Sequence, residues 1–368
     1  MKLKITHLTS VHPRYDTRIF IKECSSLAKI YDVNLVVADG LGDEEKNGVN
    51  IFDVGKVEGR FNRILKTTKM VLKKAIALDS DIYHMHDSEL IPVGLKLKKL
   101  GKKVIFDSHE DVPKEILVKT YLHKFILQFI STSFAMYEKI KLKKFHYIIT
   151  ATPKLKEKFL KINPKSMDVN NFPIVEELSN SVLWEERKNE VCYIGAISTS
   201  RGIKEIVKSL DYYKGATLNL GGKFSEPLVE REVKSYDSWG KVNYFGYINR
   251  DKVSNILNES KAGLVTLHDK PSYKDALPVK MFEYMLASIP VISSNNVLWK
   301  SIIDQHQCGI CVNPLDPKEI ANAIQYIIEN PKEAEIMGQN GKKAVLDVYN
   351  WENEEKKLFE IYKEILDV

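Results

Sequence analysis

The chain has 368 residues, of which 44% are hydrophobic and 28% charged, a composition typical of globular proteins and not of disordered or fibrous ones. This length exceeds what one hydrophobic core usually supports and predicts two domains. The longest apolar runs fall far short of the roughly 20 residues of a membrane-spanning helix, the N-terminus lacks a signal-peptide pattern, and four cysteines are too few for a disulfide framework. We therefore expect a cytoplasmic protein.

Charge is distributed unevenly along the chain. Residues 1–175 contain 31 Lys and Arg against 20 Asp and Glu, a net charge of +11, and the remaining residues carry −5 of the total of +6. Clustered lysines favour an anionic partner such as a nucleic acid, an anionic membrane surface or a phosphorylated lipid. No motif of a nucleic-acid-binding fold accompanies them, so we expect a membrane or lipid partner and no nucleic acid.

Short β-branched runs alternate with helix-length segments, which predicts βαβ units and parallel sheets, and hence a doubly wound α/β fold. The predicted strands are 4–8, 33–38, 82–86, 103–106 and 147–150, and then 191–194, 217–220, 242–245, 263–267, 291–293 and 310–312. Residues 170–181 are predicted to be a linker, because they contain Asn, Pro and Ser and lack a clear hydrophobic period. We predict domains at 1–172 and 173–350, followed by a helix at 351–368 that packs back toward the first domain through Leu358, Ile361 and Ile365.

The chain lacks the common glycine motifs of phosphate-binding loops. Neither half has Gly-x-Gly-x-x-Gly after its first strand, and the chain has no Gly-Lys-Ser/Thr loop, which argues against a dehydrogenase or a P-loop kinase. Ligands of open α/β sheets bind where strands end. Residues 193–203 form a strand, a small-residue loop and a helix start near Gly202, where the helix dipole and Arg201 would attract a diphosphate. The alternative is an ordinary surface arginine.

A second candidate site lies between residues 275 and 293. Asp275 and Glu283 are eight residues apart, with Lys280 between them. A carboxylate inside an apolar helix is costly to bury unless it has a partner, and vicinal sugar hydroxyls would serve as one. The alternative is a buried carboxylate that is hydrogen-bonded to the backbone.

Taken in order, these motifs resemble those of the retaining glycosyltransferases of family 4. Such enzymes have the GT-B fold, in which two Rossmann-like domains face each other across a cleft, and the resemblance covers nearly the whole chain. The motifs that carry it are Tyr193-x-Gly195, Arg201-Gly202, Gly221-Gly222, Phe245-Gly246-Tyr247, Asp275…Pro278-x-Lys280-x-x-Glu283 and Asn350-Trp351.

The resemblance implies roles for residues of the second domain. Glu283 would hold the ribose hydroxyls of a nucleotide-sugar donor, and Arg201 and Lys280 would neutralise its diphosphate. Asp275 stands where relatives usually have a glutamate that faces the transferred sugar. Ala196 replaces a common arginine, whose contact Lys280 would supply. The implied donor-binding set is completed by Gly195, Gly202, Pro278 and Tyr247.

In the first domain the resemblance points to loops after three strands. These are residues 10–18, His84-x-His86-Asp87 and residues 106–110. His109 would be catalytic and contact the transferred sugar. The acceptor side would include Arg14, Asp16, Arg18, His86 and Asp87. In the alternative interpretation, Asp16 and Arg18 pair only with each other, His109 orders a loop, and Asp87, Asp107 and Glu110 cap helices.

Residues 121–144 mix aromatic residues with a lysine cluster. This composition is typical of a helix that lies on a membrane surface, and equally of a core helix with a solvated lysine end. The +11 charge of residues 1–175 favours the membrane surface.

These observations lead to one functional prediction. The chain would be a retaining, metal-independent glycosyltransferase of hexosyl or N-acetylhexosaminyl type, peripheral at the inner face of the cell membrane. It would transfer a sugar from a nucleotide-diphosphate donor to a hydroxyl of a lipid-linked oligosaccharide in bacterial surface polysaccharide assembly, such as lipopolysaccharide or capsule. We expect no metal and no other cofactor. The alternatives are a non-catalytic nucleotide-sugar or lipid-binding subunit of an assembly complex, and a GT-B nucleotide-sugar epimerase.

Overall fold

The computed structural model describes residues 2–119, 122–178 and 182–366. Tyr121 of the predicted amphipathic stretch, residues 179–181 of the predicted linker and the last two residues of the predicted terminal helix lie outside that description. The chain divides into two compact units. The first unit comprises the residues up to Asn171 together with those from Asn353 onward, and the second is Phe172–Glu352.

The first unit is built on a mainly parallel sheet. Its described strands are β1 (Lys4–Leu8), β2 (Asp32–Val37), β3 (Glu44–Lys46), β4 (Val49–Asp53), β5 (Ile82–Met85), β6 (Lys103–Ser108), β7 (Tyr147–Thr150) and β8 (Ser166–Asp168). They are ordered β3-β4-β2-β1-β5-β6-β7-β8, and only the β3–β4 pair is antiparallel. In the centre of the sheet, Ile5 pairs with Ile82 and His7 with His84. Buried central strands of this kind require helices on both faces of the sheet.

Helices connect these strands. A π-helical segment, Thr17–Cys24, begins at Asp16, whose carboxylate accepts the N–H groups of Arg18 and Ile19, each at 2.9 Å. A second π-helical segment, Arg63–Thr67, precedes α3. The α-helices are α1 (Ser25–Ala28), α2 (Arg60–Asn62), α3 (Thr68–Leu78), α4 (Ile91–Lys99), α5 (Val112–Leu117), α6 (Lys124–Leu142) and α7 (Pro153–Leu160).

The second unit has a wholly parallel sheet. Its described strands are β9 (Glu190–Ile194), β10 (Thr217–Gly221), β11 (Val242–Gly246), β12 (Ala262–Val265), β13 (Val291–Ser294) and β14 (Gly309–Val312), ordered β11-β10-β9-β12-β13-β14. Its helices are α8 (Ile203–Tyr212), α9 (Pro227–Lys234), α10 (Arg250–Glu259), α11 (Val279–Leu286), α12 (Val297–His306), α13 (Pro317–Glu329) and α14 (Pro331–Asp347). Hydrophobic clusters cover both faces of the sheet.

The last helix, α15 (Trp351–Leu366), begins in the second unit and continues in the first. Leu358, Ile361 and Ile365 are buried, as their helical spacing predicts. In the first unit, Glu354 accepts the N–H of Asn170 at 2.8 Å. Among the described residues, no helix combines the length and the apolar character needed to cross a bilayer.

The prediction of two Rossmann-like α/β domains is confirmed, and the predicted strands agree with the observed ones to within two residues. Three strands were missed. β3 and β8 lie at the edges of the sheet and have only three residues each, and a segment of three residues is too short to show a recognisable period. β4 has five residues and was overlooked. The boundary between the two units along the chain, Asn171/Phe172, falls within the predicted linker, whose described residues form no strand or α-helix, although Phe172 and Leu178 are buried in the core of the second unit.

Candidate functional site

In the second unit, glycine loops after β9 and β10 approach the side chain of Lys280. Gly195 has a φ of +128°, and a Cβ placed on it would lie 3.3 Å from the Lys280 Nζ. Gly222 has a φ of +142°, and its Cβ would lie 1.8 Å from the Gly195 carbonyl oxygen. Both positions therefore require glycine. The predicted loop residue Gly195 and the predicted cation Lys280 are brought together by the fold.

Lys280 lies on α11 and its amine is buried. Its Nζ is 3.5 Å from the centroid of the Tyr193 ring and has no hydrogen-bond partner among the described residues. Burial, reinforced by the positive charge of Arg201, holds the pKa of Lys280 well below its usual range, although Glu283 opposes the shift. An unpartnered buried amine is costly. An anionic ligand would supply both the missing hydrogen bond and the compensating charge.

Arg201 belongs to the same group of side chains. It ends the turn Thr199–Arg201, and Gly202 then begins α8 at a φ of +77°. Burial raises the pKa of Tyr193 to about 12, an effect that Arg201 partly opposes. Glu226 accepts the N–H of Thr199 at 3.0 Å and so fixes the turn. The Lys280 amine and the Arg201 guanidinium, from different elements, thus lie next to one tyrosine ring, beside the start of a helix.

Glu283 follows Lys280 by one helical turn on α11. Its Oε1 accepts a hydrogen bond from Arg250 Nη1 at 2.7 Å, and Arg250 Nη2 donates to Glu177 Oε2 at 2.8 Å. The expected alternative of a carboxylate bonded to backbone is therefore wrong. Sequence reasoning missed Arg250. The sequence did contain a signal for it. Arg250 is the first residue of α10, directly after the capping residue Asn249 and the loop that follows β11.

The remaining donor-side predictions occupy different positions. Asp275 lines a cavity of about 350 Å³ together with His268 and Asn296. Its loop is anchored where Trp299 Nε1 donates to the Ala276 carbonyl at 2.7 Å.

Pro278 and Tyr247 differ in exposure. Pro278 begins α11, and its carbonyl accepts the N–H of Met281 at 2.9 Å. Tyr247 is 78% exposed, with the Lys223 Nζ 5.5 Å from the centroid of its ring. The described contacts connect Gly195, Arg201, Lys280 and Glu283 but do not extend to Tyr247.

In the first unit, Asp107 at the end of β6 organises the predicted residues. Arg18 donates to both of its oxygens at 2.9 Å, and Asp107 Oδ2 lies 3.0 Å from His109 Nε2 and 3.3 Å from His86 Nδ1. Burial alone would raise the pKa of Asp107, but Arg18 and the two histidines hold it well below its usual range. Arg18 thus pairs with Asp107 and not with Asp16, and Asp107 is not a helix cap, so both alternative expectations were wrong.

Asp87 stands at the N-cap of the 3-10 helix Ser88–Leu90, but its side chain makes no capping hydrogen bond. Its Oδ2 accepts hydrogen bonds from Ser10 N at 2.6 Å and Thr9 Oγ1 at 2.9 Å, which ties the end of β5 to the loop after β1. His12, which the sequence analysis did not single out, lies 3.4 Å from Asp87 and 3.6 Å from Asp16. These carboxylates raise the pKa of His12 against the effect of burial.

His12 and His109 have ring centroids 4.9 Å apart, so the loops after β1 and β6 converge. Among the described contacts, none joins Arg14 to this group. It is buried, and its Nε and Nη2 donate to the two oxygens of Asp39 at 2.8 and 2.7 Å. Arg14 therefore ties the β1 loop to the segment after β2.

The chain resembles known proteins in sequence. Residues 174–344, a little under half of the chain, match the family described as glycosyl transferases group 1. An uncharacterized glycosyltransferase of Methanocaldococcus jannaschii is 22% identical over 301 residues, which cover 77% of this chain and 75% of that protein.

Solved structures show the same fold. Sucrose-phosphate synthase from Thermosynechococcus elongatus superposes with a TM-score of 0.80 at 17% identity over 100% of both chains. Anabaena HepE, solved in complex with UDP and glucose, gives a TM-score of 0.76 at 12% identity, covering 98% of this chain and 100% of that one. The predicted GT-B fold and the resemblance to a glycosyltransferase are confirmed, and the relatives support glycosyltransferase activity.

Proposed function

We propose that this glycosyltransferase moves a hexosyl or N-acetylhexosaminyl group from a nucleotide-diphosphate donor to a hydroxyl of a lipid-linked oligosaccharide, with retention of anomeric configuration. The observation that carries the donor proposal is the buried Lys280 amine, which lacks a hydrogen-bond partner among the described residues and lies close to Arg201. A diphosphate has the charge and the acceptor oxygens that this group lacks. The complex of Anabaena HepE with UDP and glucose supports this ligand class.

The proposed donor contacts are of two kinds, ionic contacts to the diphosphate and hydrogen bonds to the sugar hydroxyls. Lys280 and Arg201 would neutralise the diphosphate as it leaves, which is the largest contribution expected from a site of this kind. Arg250 holds one oxygen of Glu283 in place, and the carboxylate would accept hydrogen bonds from the ribose hydroxyls. Asp275 would face the transferred sugar. Because two cations supply the charge neutralisation, the transfer is proposed to need no metal ion.

Retention is proposed to follow from attack on the face that the diphosphate leaves. The bond from the anomeric carbon to the phosphate oxygen breaks as the bond to the acceptor oxygen forms, and the leaving phosphate oxygen takes the acceptor's proton. In the first unit, His109 is the partly exposed member of the Asp107 group and would contact the sugar. Arg18 and His86 act through Asp107 as positioning residues, and Asp16 and Asp87 would lie on the acceptor side.

The lipid-linked acceptor is proposed from the surface of α6. Phe125 is 81% exposed, Phe129 74% and Met136 62%, and Lys139 and Lys141 lie in the last turn. Exposed aromatic residues next to lysines are typical of helices that rest on anionic membranes. We therefore propose peripheral binding at the inner face of the cell membrane and a role in surface polysaccharide assembly.

Vesicle flotation tests the membrane proposal. The purified protein is expected to float with phosphatidylglycerol vesicles and not with phosphatidylcholine vesicles, and a Phe125→Ser/Phe129→Ser variant is expected to stay unbound. Leu228→Ser, which removes an equally exposed apolar side chain from α9, is the matched control. Equal flotation of the wild type and the double variant would remove α6 as the contact surface.

A thermal-shift screen tests the donor proposal. UDP-, GDP-, dTDP- and CDP-sugars are compared on the wild type and on Glu283→Ala. Ligand at 100 times its dissociation constant adds about 2.7 kcal/mol to the folded state, so one nucleotide class should stabilise the wild type only. Sugar transfer to a lipid-linked acceptor by the purified chain would then exclude a binding subunit, and donor epimerisation without an acceptor would indicate the epimerase. NMR of the product gives the anomeric configuration.

A further inference from the structure

We propose that His7, Glu23, His84 and His86 form a buried binding site for one divalent cation of the zinc class, in the interior of the first unit. His7 lies on β1, His84 on β5, His86 directly after β5, and Glu23 on the π-helical segment Thr17–Cys24. All four side chains are buried. One ligand atom from each residue lies within 4.8 Å of the others. Three imidazoles and one carboxylate are a ligand set that zinc accepts.

The distances among these atoms suit a four-coordinate ion. His7 Nδ1 lies 2.8 Å from His86 Nε2, and Glu23 Oε2 lies 3.9 Å from each of these two nitrogens. Ligand atoms about 2.1 Å from a tetrahedral zinc are separated from one another by roughly 3.4 Å. The observed distances fall on both sides of this value. A bound ion would separate the two histidine nitrogens slightly and draw the carboxylate inward.

Unsatisfied polar atoms point to the same place. Three buried atoms have no hydrogen-bond partner among the described residues, namely both carboxylate oxygens of Glu23 and the Nε2 of His84. Arg18 Nε forms an ion-pair contact with Glu23 Oε1 at 3.1 Å, which leaves Oε2 toward the histidines. Buried polar atoms without partners are uncommon because each costs free energy. Coordination of one cation would satisfy Glu23 Oε2 and His84 Nε2 together.

The outer ring nitrogens have the partners that metal-bound histidines usually have. His84 Nδ1 lies 2.9 Å and His7 Nε2 3.1 Å from the Tyr362 hydroxyl. His86 Nδ1 lies 3.3 Å from Asp107 Oδ2. Acceptors at the outer nitrogens fix the N–H on that side and direct the lone pair of the inner nitrogen to the metal. This arrangement holds for all three imidazoles, and Tyr362 extends it to helix α15.

A second group of potential ligands, His86, Asp107 and His109, shares one histidine with this site. There, Arg18 donates to both oxygens of Asp107, whereas in the first group it contacts only Oε1 of Glu23 and leaves Oε2 for an ion. The first group contains buried side-chain atoms without a hydrogen-bond partner, and among the described residues the second group contains no such atom. We therefore place the ion between His7, Glu23, His84 and His86, where it would be structural and would take no part in the donor chemistry of the second unit.

Metal analysis of the full-length protein tests the site. The chain is produced without a histidine tag in zinc-supplemented medium, passed over a desalting column and analysed by inductively coupled plasma mass spectrometry. About one zinc per chain is expected for the wild type, and less than about a tenth of that for His84→Phe and Glu23→Gln. His123→Ala, which removes an exposed histidine of the same unit, and His109→Ala are both expected to retain the ion.

Cobalt replacement keeps the proposal falsifiable if the ligand variants fail to fold. Wild-type protein from cobalt-supplemented medium should show the visible d–d bands of a four-coordinate site without thiolate charge-transfer bands. Folded wild type with neither zinc nor these bands would overturn the proposal and leave a cluster of histidines that share protons. Loss of metal in His109→Ala, with retention in His84→Phe, would overturn it in favour of the second group.

Discussion

The Lys280 Nζ lies 3.5 Å from the centroid of the Tyr193 ring, and no described residue accepts a hydrogen bond from it. A cation above an aromatic ring gains about 0.5–2 kcal/mol, which is less than the several kcal/mol that removal of an ammonium group from water costs. The charged form of Lys280 is therefore unfavourable in the ligand-free domain, in agreement with its lowered pKa. Its place next to Arg201 is explained by the anionic ligand that we propose for this site.

Loss of the Lys280 amine should affect catalysis more than donor binding. Lys280→Met keeps the length and apolar stem of the side chain but removes the charge that would stabilise the leaving diphosphate. We expect the turnover number to fall by about 100-fold or more, on the scale of one lost electrostatic contact to the transition state. Steady-state kinetics with the donor from the thermal-shift screen measures this change. Lys223→Met, at a lysine near the exposed Tyr247 ring, is the control, and equal turnover in both variants would contradict the role of Lys280.

The same variant should change how stability depends on pH. Because the pKa of Lys280 is held well below its usual range, the unfolded chain binds a proton that the folded chain lacks, from the lowered pKa up to about 10.4. The free energy of unfolding of the wild type therefore rises with pH across this window, by at most about 1.4 kcal/mol per pH unit from this one group. Lys280→Met lacks this contribution. Urea unfolding at several alkaline pH values compares the two slopes, and identical slopes would show that Lys280 titrates normally.

The Arg250–Glu283 pair is expected to affect the affinity for the donor more than the turnover number. Glu283→Ala removes the proposed ribose contact, so we expect a large rise in the KM for the donor with little change in kcat. Arg250→Ala leaves the carboxylate in place but frees it to rotate, so a smaller rise in KM is expected. Glu177→Ala, which removes the other partner of Arg250, is the matched control. A fall in kcat with unchanged KM in Glu283→Ala would assign this residue to the chemical step.

The Arg18–Asp107 pair predicts an effect on stability. Both side chains are buried, and removal of one partner leaves an uncompensated charge that typically costs about 3–5 kcal/mol. Arg18→Met should therefore lower the free energy of unfolding of the first unit by this amount, measured by urea denaturation. Arg18→Met/Asp107→Asn should recover part of the loss, because the Asp107 charge is then removed together with its cation, while Glu23 still loses its contact with Arg18. A loss below about 1 kcal/mol in the single variant would contradict a tightly coupled pair.

Much of the fold could be predicted because its signals are local. Buried parallel strands appear as short apolar runs between helical segments, and the position of each polar loop after a strand follows from that rhythm. The glycines at 195 and 202 and the residues at 280 and 283 were likewise found by their motifs. Edge strands such as β3 escaped because three residues carry no period. The burial of Phe172 could not be predicted because it depends on a core formed by residues distant in the chain.

The sequence by itself determined the fold class, the two sheets and the motif at residues 275–283, because each depends on residues close together in the chain. Only the tertiary structure decided which charges meet. Arg18 pairs with Asp107, 89 positions away, and Glu283 with Arg250 across two helices. His7 and His84 become neighbours through the pairing of β1 with β5, and packing of the π-helical segment adds Glu23. A buried charge is stabilised by whichever opposite charge the packing brings within a few ångströms, and no local pattern encodes that choice.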